Sequence, residues 1–261
     1  TIGDMRTRAT RILAVTVAGG LVLAGLLAPV AAGVALVSNG TPAPARDPLP
    51  PEADMPAVTT VLDRDGNPIA QLDDQYRIPV AIHAIAPAMQ AAAIAIEDRR
   101  FYDEAGVDPI GTARALVSNT LGSATQGGST ITQQYVKNYL INVVDRENPA
   151  AQRADRSDTL GRKVREAELA TGIAHTMSKN DVLDGYLNVV EFSGNVYGVE
   201  AAAHAYFGTT AAALTVPQAA LLAGMVNNPN LYDPYDHPQQ AKDRRDVVIA
   251  AMAQVGSITP A

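Results

Sequence analysis

Cysteine is absent from the 261 residues, so disulfide frameworks, cysteine nucleophiles and thiolate metal sites are all excluded. An exported chain loses nothing by this, because nothing in it needs oxidising. Tryptophan is missing too and phenylalanine occurs 3 times, while alanine dominates, which favours helix. A surplus of positive charge is also lacking. Against 27 Asp and Glu stand 20 Lys and Arg, a net charge of -7, which leaves no basic surface for nucleic acid. No Gly-x-Ser-x-Gly elbow, Ser-x-x-Lys or Lys-Thr-Gly occurs, so acyl transfer finds no nucleophile motif. His83, His175, His204 and His237 show no ligand spacing and argue against a His-based metal site.

Apolar residues are unevenly spread. From Ile12 to Val37 the only polar side chain is Thr16. At about 1.5 Å per residue that run spans a bilayer core of about 30 Å with some tilt. Arg6, Arg8 and Arg11 precede it and the next charge is Arg46, which keeps the N-terminus cytoplasmic and the remainder outside. A cleaved signal peptide is the competing reading, since Ala28-Pro29-Val30-Ala31-Ala32 offers small residues, but its apolar region is normally only about 7–15 residues. The anchor is the reading adopted. Pro42, Pro44, Pro48, Pro50, Pro51 and Pro56 then mark a semi-rigid spacer. The expected organisation is 1–11 cytoplasmic, 12–37 a transmembrane helix, 38–57 the spacer and 58–261 one domain.

Within that domain, Val58–Leu62 and Ile69–Leu72 read as two short strands around a Gly66 turn. The rest reads as helix: Pro87 to about Tyr102, Ile110–Leu121, Ile131–Ile141 with Ser129 or Thr130 as N-cap, and Arg162–Met177. Ser178–Asp181 and Thr215–Gln218 are capping boxes opening helices to Leu187 and about Val226. A last helix runs from about Pro238 to Val255 and stops at Gly256. Asn142–Gly161 is polar throughout and reads as a mobile loop. The expected class is mainly α with a small β element.

Glu97 closes the apolar stretch Ala91–Ile96, where desolvation raises a carboxylate's pKa and suits it to proton abstraction. A surface acid beside Arg99 and Arg100 is the plainer alternative, and Asp98 reads as a structural partner of an arginine. Gly127-Gly128-Ser129-Thr130-Ile131-Thr132-Gln133-Gln134 enters a helix, where glycines allow close backbone approach and free N–H groups favour an anion. Gln134, Lys137 and Asn138 then share one helix face, suited to phosphate or sugar hydroxyls. Arg162, Lys163 and Glu166 cluster on another helix, as an ordinary ion pair or as cations flanking a pyrophosphate.

Together these segments resemble the peptidoglycan glycosyltransferases, found as the N-terminal catalytic domain of class A penicillin-binding proteins and as monofunctional enzymes. The motifs are Ile96–Tyr102 continuing to Gly106-Val107-Asp108, then Gly127–Gln134 with Lys137-Asn138, and Arg162–Ala167. Val182–Asn188 follows, with Tyr197–Ala203 and Tyr206-Phe207-Gly208, and Ala219–Gly224 leads to Pro229 and Tyr232-Asp233-Pro234. Five motifs stand in the family's order, over roughly Val58 to Gly256. The resemblance implies a lysozyme-like, two-lobed α fold, and as substrate lipid II, a disaccharide-peptide on undecaprenyl pyrophosphate, joined to a growing lipid-linked glycan strand.

Carried onto this sequence, the resemblance makes Glu97 and Glu166 the catalytic acids. Ser129, Thr130, Gln133, Gln134, Lys137, Asn138, Arg162 and Lys163 would bind substrate, and Asp98, Phe101, Gly127, Gly128 and Asn188 would be structural. No cofactor is obligatory, though Mg2+ or another divalent ion beside Glu97 and Glu166 is compatible. The expected setting is the cell membrane, with moenomycin as inhibitor and cell-wall synthesis or division proteins as neighbours. Four positions depart from the family pattern: Glu104 where His is usual, Ala174 and Gln218 where Glu is, and Glu191 where Tyr is common. A glycan-cleaving lysozyme-type enzyme and a non-catalytic membrane-anchored scaffold remain alternatives, and a following transpeptidase remains open.

Overall fold

The computed structural model describes residues 55, 59–72, 75–109, 111–112, 127–157 and 159–259, all within the second of two units, Asp47–Ala261. Among them lie a hairpin, a three-stranded sheet and eight α-helices. The hairpin pairs β1 (Thr59–Leu62) antiparallel with β2 (Pro68–Leu72). Asp63 shapes its turn by accepting from the backbone N–H groups of Asp65 and Asn67, both at 2.8 Å, and Gly66 supplies the positive φ of 86°. β3 (Tyr76–Arg77) runs parallel to β5 (Val196–Tyr197), which pairs antiparallel with β4 (Glu191–Phe192).

Two groups of helices form the body. α1 (Pro87–Glu97) packs on α7 (Val216–Met225) and α8 (Pro238–Gln254). Alanines make that possible, because Ala92, Ala93, Ala95, Ala219, Ala220 and Ala223 are buried and let the helix axes come close. At Gly224 even a methyl group would press on the Arg244 side chain, with Cγ at 3.0 Å. In the second group α2 (Ile131–Tyr139) packs on α4 (Leu160–Thr176) and α5 (Lys179–Val189) through larger side chains, among them Tyr135, Tyr139, Leu183 and Tyr186. α3 (Pro149–Arg156) and α6 (Val199–Phe207) complete the set.

Both expected capping boxes form, at Ser178–Asp181 and Thr215–Gln218, and a third closes at Thr130–Gln133. Thr130, not Ser129, is the N-cap of α2. Gln218 accepts from the Thr215 backbone at 2.9 Å and from its hydroxyl at 2.7 Å, so that departure keeps the box closed.

Two expectations need correction. α1 ends at Glu97 rather than Tyr102, because Asp98 leaves helical geometry with φ -152° and the chain turns. Asn142–Gly161 is not a loop. It begins inside a π-turn, Leu140–Val144, and contains α3, whose Asn148 cap accepts from the Ala151 N–H at 3.2 Å ahead of Pro149 at the first helical position. Sequence periodicity is silent there because Asp155 is the one residue of α3 that is buried. Ahead of α1, Ile82–Ala84 forms a 3-10 turn.

Most of the Ile110–Leu121 helix and the whole Ile12–Val37 span lie outside the described residues. No helix among those described is long and apolar enough to cross a membrane.

Candidate active site

Glu97 is the last residue of α1, and its side chain meets α2. Its Oε2 accepts from Gln134 Nε2 at 2.7 Å, while Oε1 is buried with no partner among the described residues. Burial raises its pKa above the ordinary glutamate value, against the hydrogen bond from Gln134 and the charge of Arg244. The Gln134 amide is itself oriented, since Oε1 accepts from the hydroxyl of fully buried Tyr186 at 3.3 Å. Tyr186 stays a donor, as burial lifts its pKa well above the tyrosine norm.

Asp98, next along, pairs with no arginine side chain among the described residues. Its Oδ2 accepts from the backbone N–H of Ile131 at 3.1 Å and Oδ1 from that of Arg100 at 3.2 Å. It therefore clasps the end of α1 to the start of α2, satisfying one of the free N–H groups of a helix start. Burial is the main reason its pKa is pushed up to about 6. Thr130 adds a second tie, its hydroxyl donating to the Gly106 carbonyl at 2.7 Å.

The residue at the departure Glu104 also has a structural task. Buried, it receives Lys179 Nζ at 2.6 Å, and that ammonium sits 4.5 Å above the ring of buried Phe101. Ala174 is small where Gly106 needs room, because a methyl group added at Gly106 would lie 3.1 Å from the Ala174 methyl. Asn188 is buried and brackets Val80, accepting from its N–H and donating to its carbonyl, both at 2.9 Å.

A cleft of about 330 Å³ is lined by Glu97, Asp98, Gly127, Gly128, Ser129 and Thr130, with Arg244 and Asn227 opposite. A second pocket of about 220 Å³ is lined by Lys137 and Asn138, with Asn142, Arg156, Glu191 and again Asn227. Asn227 thus belongs to both. Gln134, Lys137 and Asn138 do share one face of α2, as expected. Gln134 reaches Glu97, whereas Asn138 turns its Nδ2 back to the Gln134 carbonyl at 2.9 Å. Burial lowers the Lys137 pKa; Glu166 opposes this, and Arg162, Lys163 and Arg156 reinforce it.

On α4, Glu166 is buried and neutralised by two cations, Arg162 through Oε1 and Lys163 through Oε2 at 3.3 Å. Lys163 bridges further, donating to Ser129 Oγ at 3.1 Å, so the α4 cluster is tied to the glycine-rich entry of α2. Gln133 serves the α2 cap, its Oε1 accepting from the Thr130 N–H at 3.0 Å. Gly128 fixes the same entry by accepting from Thr112 at 2.9 Å.

Both oxygens of Glu166 face cations, and no group of three His, Cys, Asp or Glu suited to a metal occurs among the described residues.

Sequence reasoning missed Tyr186, Arg156, Asn227 and Arg244. Tyr186 lay inside a motif and could have been singled out. The other three stand in polar runs that read as solvated surface.

The transglycosylase family, compared as a whole, matches residues 65–253. Penicillin-binding protein 1A/1B of Bacillus subtilis is 39% identical over 206 residues, covering 78% of this chain and 21% of that protein. Penicillin-binding protein 1A of Escherichia coli is 39% identical over 200 residues, with 76% and 22% covered. Its Mycobacterium tuberculosis counterpart is 38% identical over 205 residues, with 78% and 24% covered. The chain thus spans less than a quarter of the length of these relatives. By its motifs, its mainly helical fold and these matches, the chain belongs to the family of peptidoglycan glycosyltransferases of the class A penicillin-binding proteins.

Proposed function

We propose that the chain polymerises lipid II into glycan strands, with Glu97 as the general base. In this reading the acceptor's GlcNAc 4-hydroxyl gives its proton to Glu97 Oε1, the oxygen left without a partner. The freed oxygen attacks the anomeric carbon of the donor MurNAc. A β-1,4 bond forms with inversion as the bond to the lipid pyrophosphate breaks, and the pyrophosphate leaves with the electron pair. Raised by burial, the Glu97 pKa makes it a stronger base than an exposed glutamate.

The leaving pyrophosphate is assigned to the second pocket, where half-buried Lys137 shares the lining with Asn138, Asn142 and Asn227 and with the Arg156–Glu191 pair. Glu166 acts as a positioning residue that holds Arg162 and Lys163, and through Lys163 sets Ser129. Asn138 and the Gly127–Thr130 entry shape the donor side. Mg2+ would arrive with the substrate's pyrophosphate, and no step above depends on it. The cation pocket beside the base speaks for polymerisation over glycan cutting, which has no pyrophosphate to hold. In this reading the domain works outside the cell membrane on a single-pass anchor at 12–37, among cell-wall synthesis or division proteins, and moenomycin blocks it at the donor side.

The carrying observation is the shared wall: Asn227 lines both the Glu97 cleft and the Lys137 pocket. Purified protein given labelled lipid II should make glycan polymer that moenomycin suppresses. A wild-type protein inert both in detergent and in liposomes sinks the proposal.

A further inference from the structure

The second pocket contains a carboxylate where the proposed reaction needs room for an anion. Glu191 of β4 and Arg156 at the end of α3 face each other across it, 4.0 Å apart. Glu191 stands where the family commonly has tyrosine, and α3 is the helix that sequence periodicity did not reveal.

The nearby cations divide into two kinds. Arg162 is engaged by Glu166 and by the Ser157 carbonyl, and its side chain is only 9% exposed. Lys163 is held between Glu166 and Ser129. These two are committed to the α4 cluster. Lys137 and Arg156 instead line the pocket, and the Arg156 side chain is 55% exposed. Its contact to Glu191 is long and solvent-exposed, the kind that breaks at little cost. A guanidinium released from it can offer two parallel N–H donors to phosphate oxygens, which a distant carboxylate uses poorly.

We infer that Arg156 is a further pyrophosphate-binding residue beside Lys137, and that Glu191 is its resident counter-carboxylate, displaced when the anion enters. This rests on the reading of the second pocket as the leaving-group site. Glu191 keeps Arg156 aimed into the pocket while it is empty and then competes with the incoming anion, so it lowers affinity and favours release. Burial, opposed by Arg156, already raises the Glu191 pKa, in keeping with a carboxylate poorly solvated where it sits.

Inorganic pyrophosphate titrated calorimetrically against the full chain in a neutral detergent tests this without turnover. Glu191→Gln should tighten binding roughly two- to fivefold, the range of a half-exposed ion pair, and Arg156→Gln should weaken it by a similar factor. In the Arg156→Gln background the gain from Glu191→Gln should largely vanish. Arg156→Lys, which keeps the charge and the helix, should fall between wild type and Arg156→Gln. An equal gain in both backgrounds means general repulsion only and overturns the inference, as does no gain in either. Should neither wild type nor Glu191→Gln bind pyrophosphate, the inference fails, while lipid II polymerisation by the wild type would leave the proposed function standing. An intact cycle in a protein inert on lipid II has the opposite meaning.

Discussion

Gln134 donates to Glu97 Oε2 at 2.7 Å, and its amide cannot turn without losing the Tyr186 hydroxyl on its other end. One oxygen of the base is therefore fixed, and the other is buried without a partner among the described residues. That hydrogen bond favours the charged carboxylate and offsets part of the burial penalty.

Replacing Gln134 by Leu removes the bond, so the Glu97 pKa should rise further. A base is lost when protonated, so activity falls as pH drops through its pKa. The acid limb of kcat/KM for lipid II should therefore move to higher pH in Gln134→Leu. Asp98, pushed up to about 6, titrates as well, but its contacts are untouched by this change. A limb that stays in place removes Glu97 from the role of base.

Glu97→Gln should slow polymerisation by roughly 10²–10⁴, the usual worth of a positioned proton acceptor. It should not harm folding. A carboxyl whose folded pKa lies above its unfolded one stabilises the protein below the unfolded value. It loses that contribution as pH rises through the folded value. Near neutral pH the buried charge is a burden, and Glu97→Gln should melt at or above the wild-type temperature. A large drop in melting temperature would reassign Glu97 to the scaffold.

Lys179→Met should destabilise the domain by roughly 3 kcal/mol, because it strands the buried Glu104 carboxylate without its cation. Adding Glu104→Gln to that variant should recover much of the loss. Denaturant unfolding of the single and double variants measures the coupling, and additive losses would mean the 2.6 Å pair is incidental.

Gly106→Ala should be costly for two reasons, a φ of 89° and a methyl group 2.4 Å from the Ala170 carbonyl oxygen. A loss of at least about 2 kcal/mol is expected. Because the Gly106 carbonyl holds Thr130, kcat should fall as well. Unchanged melting together with unchanged rate would show that the backbone there yields freely.

Much of this was legible in the chain, and the division has a physical basis. Helix starts at Thr130, Ser178 and Thr215 were readable because each cap is made by residues three apart. Glu97 was readable because an apolar run predicts its desolvation. α3 was hidden because nearly all of it faces water, and only Asn148-Pro149 announced it. Long-range partnerships leave no local trace. Nothing in the sequence joins Asp98 to Ile131, Glu104 to Lys179, or Arg156 to Glu191. The glycine-rich segment was also read for its openness to a ligand, while its caps turned inward to Gln133 and Gly106.

The clasp from Asp98 to Ile131 skips the thirty-odd positions between them. Base and Lys137 are therefore registered to each other directly: a slide of α2 along its axis has to carry the end of α1 with it or break this one hydrogen bond.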